Sequence, residues 1–389
     1  MKTIRRSFLA AGAAALPTLG HTMGKKPEKP VRALWVTRFD YRTADDVRRI
    51  CANSAALGFT DLFFQIRGHG TVYYRSRFEP WAHELSGSDA GLTGRNPGWD
   101  PLALATETGH RAGLRIHAYA NVLPGWRGRQ NPPAASGQLW ASHRDWFMVD
   151  RLRHRMQPPS KWYTFLIPSH PAVRQHIAQL FTEMSRYPVD GIHLDYIRFP
   201  EDYHTVNHEF FPKASKEERL LHSDFSYDPV SLRQFGRDPH RVPTEWNRFR
   251  LDAITGIVKT IRAALPPEHR QILSASLISD AQKALTRAFQ DGARWTADGL
   301  VDWGVPMIYG QGTRFSTDLK NFSNRLGGSD TARRLIAGIN GAHAVETLQG
   351  QLEEIRATGC RGFAFFAYTY LFENHRLTAK GEALRRAFT

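Results

Sequence analysis

Short apolar runs alternate along the chain with longer stretches whose apolar positions recur every three or four residues. The short runs read as strands and the longer stretches as helices, because a strand buries alternate positions and a helix buries one stripe. Strands are predicted at residues 32–39 (RALWVTRF), 61–67 (DLFFQIR), 114–121 (LRIHAYAN), within 189–200 (VDGIHLDYIRFP), and at 272–278 (ILSASLI), 301–309 (VDWGVPMIY), 334–340 (RLIAGIN) and 362–368 (GFAFFAY). Helices are predicted between most of them, at 43–57, 101–112, 172–187, 245–265, 290–297 and 345–357. In the first, Thr43 supplies an N-cap, Val47, Ile50, Cys51 and Ser54 keep helical spacing, and Gly58 ends the helix.

Eight strands separated by helices imply parallel pairing through right-handed crossovers, and eight such units close into a (β/α)8 TIM barrel, an α/β fold. A doubly wound open sheet is disfavoured, since most strands end in polar or aromatic residues and no glycine-rich phosphate fingerprint follows the first. Three long loops, 68–97, 122–168 and 201–243, all follow strands, the side on which barrel enzymes keep their chemistry. The first carries Glu79, Trp81, His83 and Glu84; the second carries Trp126, Trp140, Trp146, Trp162 and Tyr163. That aromatic density suits stacking on sugar rings or bases, although for any single tryptophan packing onto the barrel is the expected role.

The strand within 189–200 ends in Asp195, followed by an aromatic and an arginine. A carboxylate at the C-terminal end of a barrel strand sits at the mouth, where titratable groups do catalytic work; the bland alternative is a pair with Arg198. No Walker motif, zinc signature, Gly-x-Ser-x-Gly elbow or paired Cys-x-x-Cys occurs, so no organic cofactor is expected, and no spacing of Asp and His demands a metal.

The 389 residues, 41% hydrophobic and 12% aromatic, are ample for one elaborated barrel over 31–389. The net charge of +15 comes from scattered arginines, which favours an anionic polymer as partner without marking a nucleic-acid stripe. The two cysteines, Cys51 and Cys360, are expected as buried free thiols. Residues 1–24 read as an export signal: Arg5-Arg6-Ser7-Phe8-Leu9 resembles a twin-arginine signal, and the apolar stretch after it is shorter than the roughly 20 residues that span a bilayer. Residues 25–30 are a basic, proline-containing linker, and the mature chain is expected to be soluble in the periplasm or outside the cell, which argues against nucleic acid. Oligomeric state is not legible.

Ordered blocks across residues 31–375 carry a resemblance. They are Phe63-Phe64-Gln65-Ile66-Arg67, Phe78-Glu79-Pro80-Trp81, Asp100-Pro101-Leu102, His117-Ala118-Tyr119-Ala120-Asn121, His170-Pro171-Ala172-Val173-Arg174, the 190–200 block, Gln290-Asp291, Pro306-Met307-Ile308-Tyr309 and Phe366-Ala367-Tyr368. Together they resemble the glycosyl hydrolase-like 10 family of exported bacterial barrels. The resemblance implies a glycosidase acting on peptidoglycan glycan strands and places Asp195 in the active site. The alternative is a glycan-binding barrel of the cell envelope that has lost catalysis.

Glycoside cleavage usually needs a proton for the leaving oxygen and a nucleophile or base across the ring. Asp195 is the principal candidate. Glu79 and Asp280 rank above Asp40 and Glu201 as its partner, all four lying after predicted strands. An acid on strand four and a tyrosine on strand six also resemble barrels in which the substrate's N-acetyl group is the nucleophile, a mechanism needing one carboxylic acid. Substrate contacts are expected from Gln65, Arg67, Trp81, His117, Asn121, His193, Tyr196, Arg198, Tyr309 and Tyr368, with His117 and His193 equally readable as barrel filling.

Overall fold

The computed structural model describes residues 30–388 apart from 270 and 328. The expected signal at 1–24, and residues 25–29 of the linker, lie outside the described residues. Val31–Thr389 forms one compact unit. Its strands are β1 (Val31–Val36), β2 (Asp61–Arg67), β3 (Arg115–Asn121), β4 (Gly191–Asp195), β5 (Ile272–Ile278), β6 (Trp303–Met307), β7 (Ile336–Asn340) and β8 (Gly362–Phe366). They close in sequence order into a parallel barrel, the TIM barrel expected.

A principal helix follows each strand: α1 (Ala44–Ala56), α2 (Pro101–Arg111), α3 (Pro171–Met184), α4 (Pro243–Ala264), α5 (Gly292–Ala297), α6 (Thr313–Leu326), α7 (Val345–Ala357) and α8 (Ala379–Phe388). Local chemistry sets their starts. Thr43 and Asp46 form a reciprocal capping box on α1, and Asp100 caps α2 ahead of Pro101. Helices α6 and α8 were not expected, although in α6 the buried Phe315, Leu319, Phe322 and Leu326 keep the spacing of an amphipathic helix. Strands β1, β6 and β8 are shorter than expected because the chain leaves the ladder at the mouth.

Period-two alternation sorts the core into two parts. Leu34, Leu62, Phe64, Ile116, Ala118, Ile192 and Leu273 face outward into the main core, whereas Val31, Ala33, Trp35, Phe63, Tyr119, Val305, Ile336 and Ala364 form a separate cluster inside the barrel. Several polar groups inside are paired. Near the barrel floor, His117 Nε2 and Arg115 Nε lie 2.8 and 2.9 Å from the Asp61 carboxylate. Halfway up, His193 stacks on Phe63 with centroids 3.9 Å apart, accepts from Trp35 Nε1 at 3.0 Å, and has the Ser274 and Ser276 hydroxyls 2.9 Å from its two ring nitrogens. Burial, with His117 nearby, pushes the His193 imidazole well below its usual range, so it stays neutral.

Room for the floor histidine comes from Gly191, where a Cβ would lie 2.2 Å from His117 Nδ1 and 2.7 Å from the Ile272 carbonyl oxygen. Gly191→Ala is expected to destabilise the protein by about 1–3 kcal/mol, as overpacking of rigid cores does. A urea midpoint unchanged from the parent would contradict this packing.

Candidate active site

The inner face of the barrel ends in a cavity of about 340 Å³ lined by Trp35, Arg38, Phe39, Gln65, Tyr119, Asn121, Tyr163, Asp195, Tyr196, Arg198, Ser276, Met307, Tyr309 and Phe366 among others. A second hollow of about 390 Å³ shares Arg198, Met307 and Tyr309 with it and adds Glu201, Asp280, Lys283, Arg314 and Asp318. The two make one groove across the mouth.

Asp195 closes β4 on the inward parity, one register step above the core. Its Oδ1 accepts from its neighbour's amide, Tyr196 N, at 2.6 Å and from Arg198 Nη1 at 3.0 Å, while Oδ2 accepts from Tyr119 Oη at 2.9 Å. Tyr196 has φ of +49°, in the left-handed region, where the chain turns after the carboxylate. Arg198 reaches on to Glu201, Nε lying 3.4 Å from Oε2, and Lys283 Nζ approaches Glu201 at 3.7 Å. Burial alone would lower the Arg198 pKa, but Glu201 and Asp195 raise it above the usual arginine range, so the guanidinium stays charged. Burial, then the Asp195 charge, pushes the Tyr309 phenol well up, so it is a neutral hydroxyl at the wall.

Aromatic rings frame the groove. Phe39 is 55% exposed at the rim with Arg38 4.2 Å above its ring, and Tyr163 meets Tyr196 edge-on at 5.2 Å. Tyr163 arrives on a two-stranded antiparallel ribbon, Pro124–Arg127 with Tyr163–Phe165, built from the second long loop. Arg38 ties the ribbon to the barrel, donating from Nη2 to Tyr163 Oη at 3.0 Å and from its backbone amide to Gln65 Oε1 at 3.0 Å.

Of the expected site residues, the structure brings Asp195, Gln65, Asn121, Tyr196, Arg198 and Tyr309 into one cavity and puts Asp280 in the adjoining hollow, where it also caps a short helix through Lys283 N. Others lie elsewhere. Glu79 is fully buried away from the groove: Arg67 donates to it twice, at 2.8 and 2.6 Å, and His176 Nε2 lies 3.0 Å away. Burial pushes its carboxyl up, yet Arg67 and His176 prevail and hold it down to about 2. Arg67 also donates to the carbonyls of Asn121, Val122 and Pro124, and so braces the loop after β3 without reaching the cavity. His117 sits near the floor and His193 in the middle of the barrel, both as filling. Trp81 packs on the outer core, and Tyr368, hydrogen-bonded with Asn53 and His375, lies outside the groove. Asp40 bonds back to Thr37; burial raises its carboxyl to about 6 despite those bonds, and it does not line the cavity. Trp35, Phe39, Tyr119, Ser276, Met307 and Phe366 were legible as inward positions of their predicted strands, whereas Arg38 and Tyr163 carried no such signal.

The family model for glycosyl hydrolase-like 10 matches residues 30–343. The chain belongs to that family. Within it, the chain is 25% identical over 326 residues to glycosyl hydrolase DigH of Escherichia coli strain K12, a match covering 73% of this chain and 66% of DigH. It is 24% identical over 287 residues to glycosyl hydrolase YngK of Bacillus subtilis strain 168, covering 68% of this chain and 47% of YngK. The chain thus spans slightly under two thirds of DigH and about half of YngK. The fold of this family member is also that of the β-amylase catalytic domain from Paenibacillus polymyxa, with a TM-score of 0.61, 10% identity, and coverage of 92% of this chain and 97% of that domain.

Glu79→Gln is expected to destabilise the protein by about 3–5 kcal/mol, because it leaves the Arg67 charge buried without its partner. The linkage has a definite sign. A carboxyl depressed to about 2 contributes stability that is fully present above its unfolded value, about 4.3, and is lost as the pH falls towards 2. Between those limits the parent should lose stability more steeply than Glu79→Gln in acid titrations of the unfolding midpoint. Parallel slopes would contradict the buried pair.

Proposed function

We propose that this chain is a glycoside hydrolase cleaving O-glycosidic bonds of an N-acetylated, peptidoglycan-type glycan, with Asp195 as the principal catalytic carboxylate. The observation that carries this reading is the single carboxylate lining the inner cavity, held from three sides beneath an aromatic rim. Family membership supports glycosidase chemistry, and the groove supports a polymer, since it runs past the cavity into the hollow with Glu201 and Asp280.

The geometry fits a substrate-assisted route best. Arg198 and Tyr196 N both occupy Oδ1, so Oδ2 is the oxygen that can carry a proton, and Tyr119, whose hydroxyl can rotate, then accepts where it had donated. Asp195 Oδ2 gives that proton to the leaving glycosidic oxygen as the bond to the anomeric carbon breaks. The acetamido oxygen of the same sugar closes on that carbon, and the neutral Tyr309 hydroxyl donates a hydrogen bond to the acetamido group. Water then opens the cyclic intermediate, returning its proton to Asp195. The twin-arginine-like leader at 1–24 supports export to the periplasm or beyond, and no helix among the described residues is long and apolar enough to cross a membrane.

Digestion of purified peptidoglycan strands, read by mass spectrometry of product ends and anomers, tests the reading. Asp195→Asn is expected to lower turnover by about 10²–10⁴-fold, the usual contribution of a positioned acid, while glycan binding stays within a few-fold. If parent and variant both bind strands and neither releases saccharide, the chain is a glycan-binding barrel. Strands stripped of N-acetyl groups should resist cleavage; if they are cut normally, a second carboxylate such as Glu201 or Asp280 performs the nucleophilic step. Phe39→Ala should raise KM by about 3–10-fold with kcat little changed, the effect of losing one stacking ring.

A further inference from the structure

Beneath the rim, outside the groove, the first long loop folds His69, His83 and Glu84 together. One ligand-capable atom from each lies within 4.8 Å of the others. His69 Nε2 is 4.0 Å from Glu84 Oε1, and His83 Nδ1 is 3.5 Å from Glu84 Oε2. His69 is 1% exposed and neither of its ring nitrogens has a hydrogen-bond partner. His83 Nδ1 and Glu84 Oε2 are likewise buried without one. A neutral imidazole carries one donor and one acceptor, and leaving such groups unsatisfied costs about 1–3 kcal/mol each. The two imidazoles and the Glu84 carboxylate, each with an unmet polar atom, lie close enough together to share one occupant.

We propose that His69, His83 and Glu84 bind a divalent transition-metal ion, zinc by its ligand chemistry, as a structural clamp. Two imidazoles and a carboxylate form a known zinc donor set, with water completing four-coordination. Zinc ligands about 2.0–2.1 Å from the metal stand about 3.3 Å apart in a tetrahedron, close to the 3.5 Å of His83 Nδ1 and Glu84 Oε2. His83 and Glu84 keep side-chain exposures of 13% and 14%, so the cluster lies close to the surface.

Arg38 bears on the affinity. Its Nε lies 3.5 Å from Glu84 Oε1, the oxygen that also faces His69 Nε2. That neighbouring charge weakens cation binding, so micromolar affinity is expected, well short of zinc-finger tightness. Trp126 of the ribbon packs edge-on against His69, centroids 5.3 Å apart, so the ion would pin the first loop under the second. The other His–Asp group, Asp150, His154 and His222, differs: Asp150 already accepts from His222 Nδ1 at 2.7 Å and from His154 N at 2.8 Å. This proposal stands apart from the glycosidase reading.

Calorimetric titration of the chelator-treated full chain with zinc sulfate tests it, alongside a cobalt(II) titration followed by visible absorption. One equivalent should bind the parent and raise its Tm by mass action. His83→Ala and His69→Gln should each weaken binding by at least about 100-fold, the upper end for loss of an outer-shell partner, whereas His154→Ala should bind as the parent does. Metal-free melts show that the variants fold, and the partly exposed His83 keeps the test available if His69→Gln does not. No heat from the parent up to about 100 μM zinc, far above micromolar affinity, or undiminished binding by His83→Ala, would overturn the site.

Discussion

A guanidinium loses its water only where acceptors replace it, and three of the buried arginines decide how the mouth of this barrel is built. Arg67 spends its donors on Glu79 and on the carbonyls that follow β3, which brings the first loop and the start of the second to one place. Arg38 joins Gln65 of β2 to Tyr163 of the ribbon and leans on Glu84. Arg198 spans Asp195 and Glu201, linking the cavity to the adjoining hollow. Each is held by a carboxylate, and Arg67 and Arg38 by neutral acceptors as well, so removing one partner exposes the cost of a bare charge.

Those clamps let the interior change character from floor to mouth. Near the floor, Asp61 is spent on His117 and Arg115. Halfway up, His193 is held neutral by burial and filled in by Trp35 and two serines. Only at the top does a carboxylate of the inner face, Asp195, meet open space, with a rotatable phenol on one oxygen and fixed donors on the other. The same strand parity that packs the barrel therefore delivers this carboxylate to the cavity.

Much of this was legible from residue order. Alternating strand and helix patterns imply the closed parallel sheet, and the pleat sends every second residue inward, so Gln65, Tyr119, Asn121 and Asp195 had to share a face once their strands were found. Helix α6 was legible too, through Phe315, Leu319, Phe322 and Leu326 at helical spacing, though it was not among the helices expected. Side chains on loops were not legible in the same way. Glu79 stands in an aromatic loop after β2 and reads as readily catalytic as structural; its role follows from His176, 97 residues later. Tyr163 reaches the cavity only because the ribbon folds back, and Tyr368 leaves it because Asn53 and His375 hold it outside.

The division has one physical origin. Within a strand, backbone geometry alone sets which way a side chain points, so the sequence by itself determined the barrel, its inward residues and Asp195 at the end of β4. On a loop, direction is set by whichever distant group satisfies the buried charge or hydrogen bond. Tertiary structure alone therefore decided that Glu79 neutralises Arg67, that Arg38 and Tyr163 wall the cavity, and that His69 meets His83 and Glu84 beneath it.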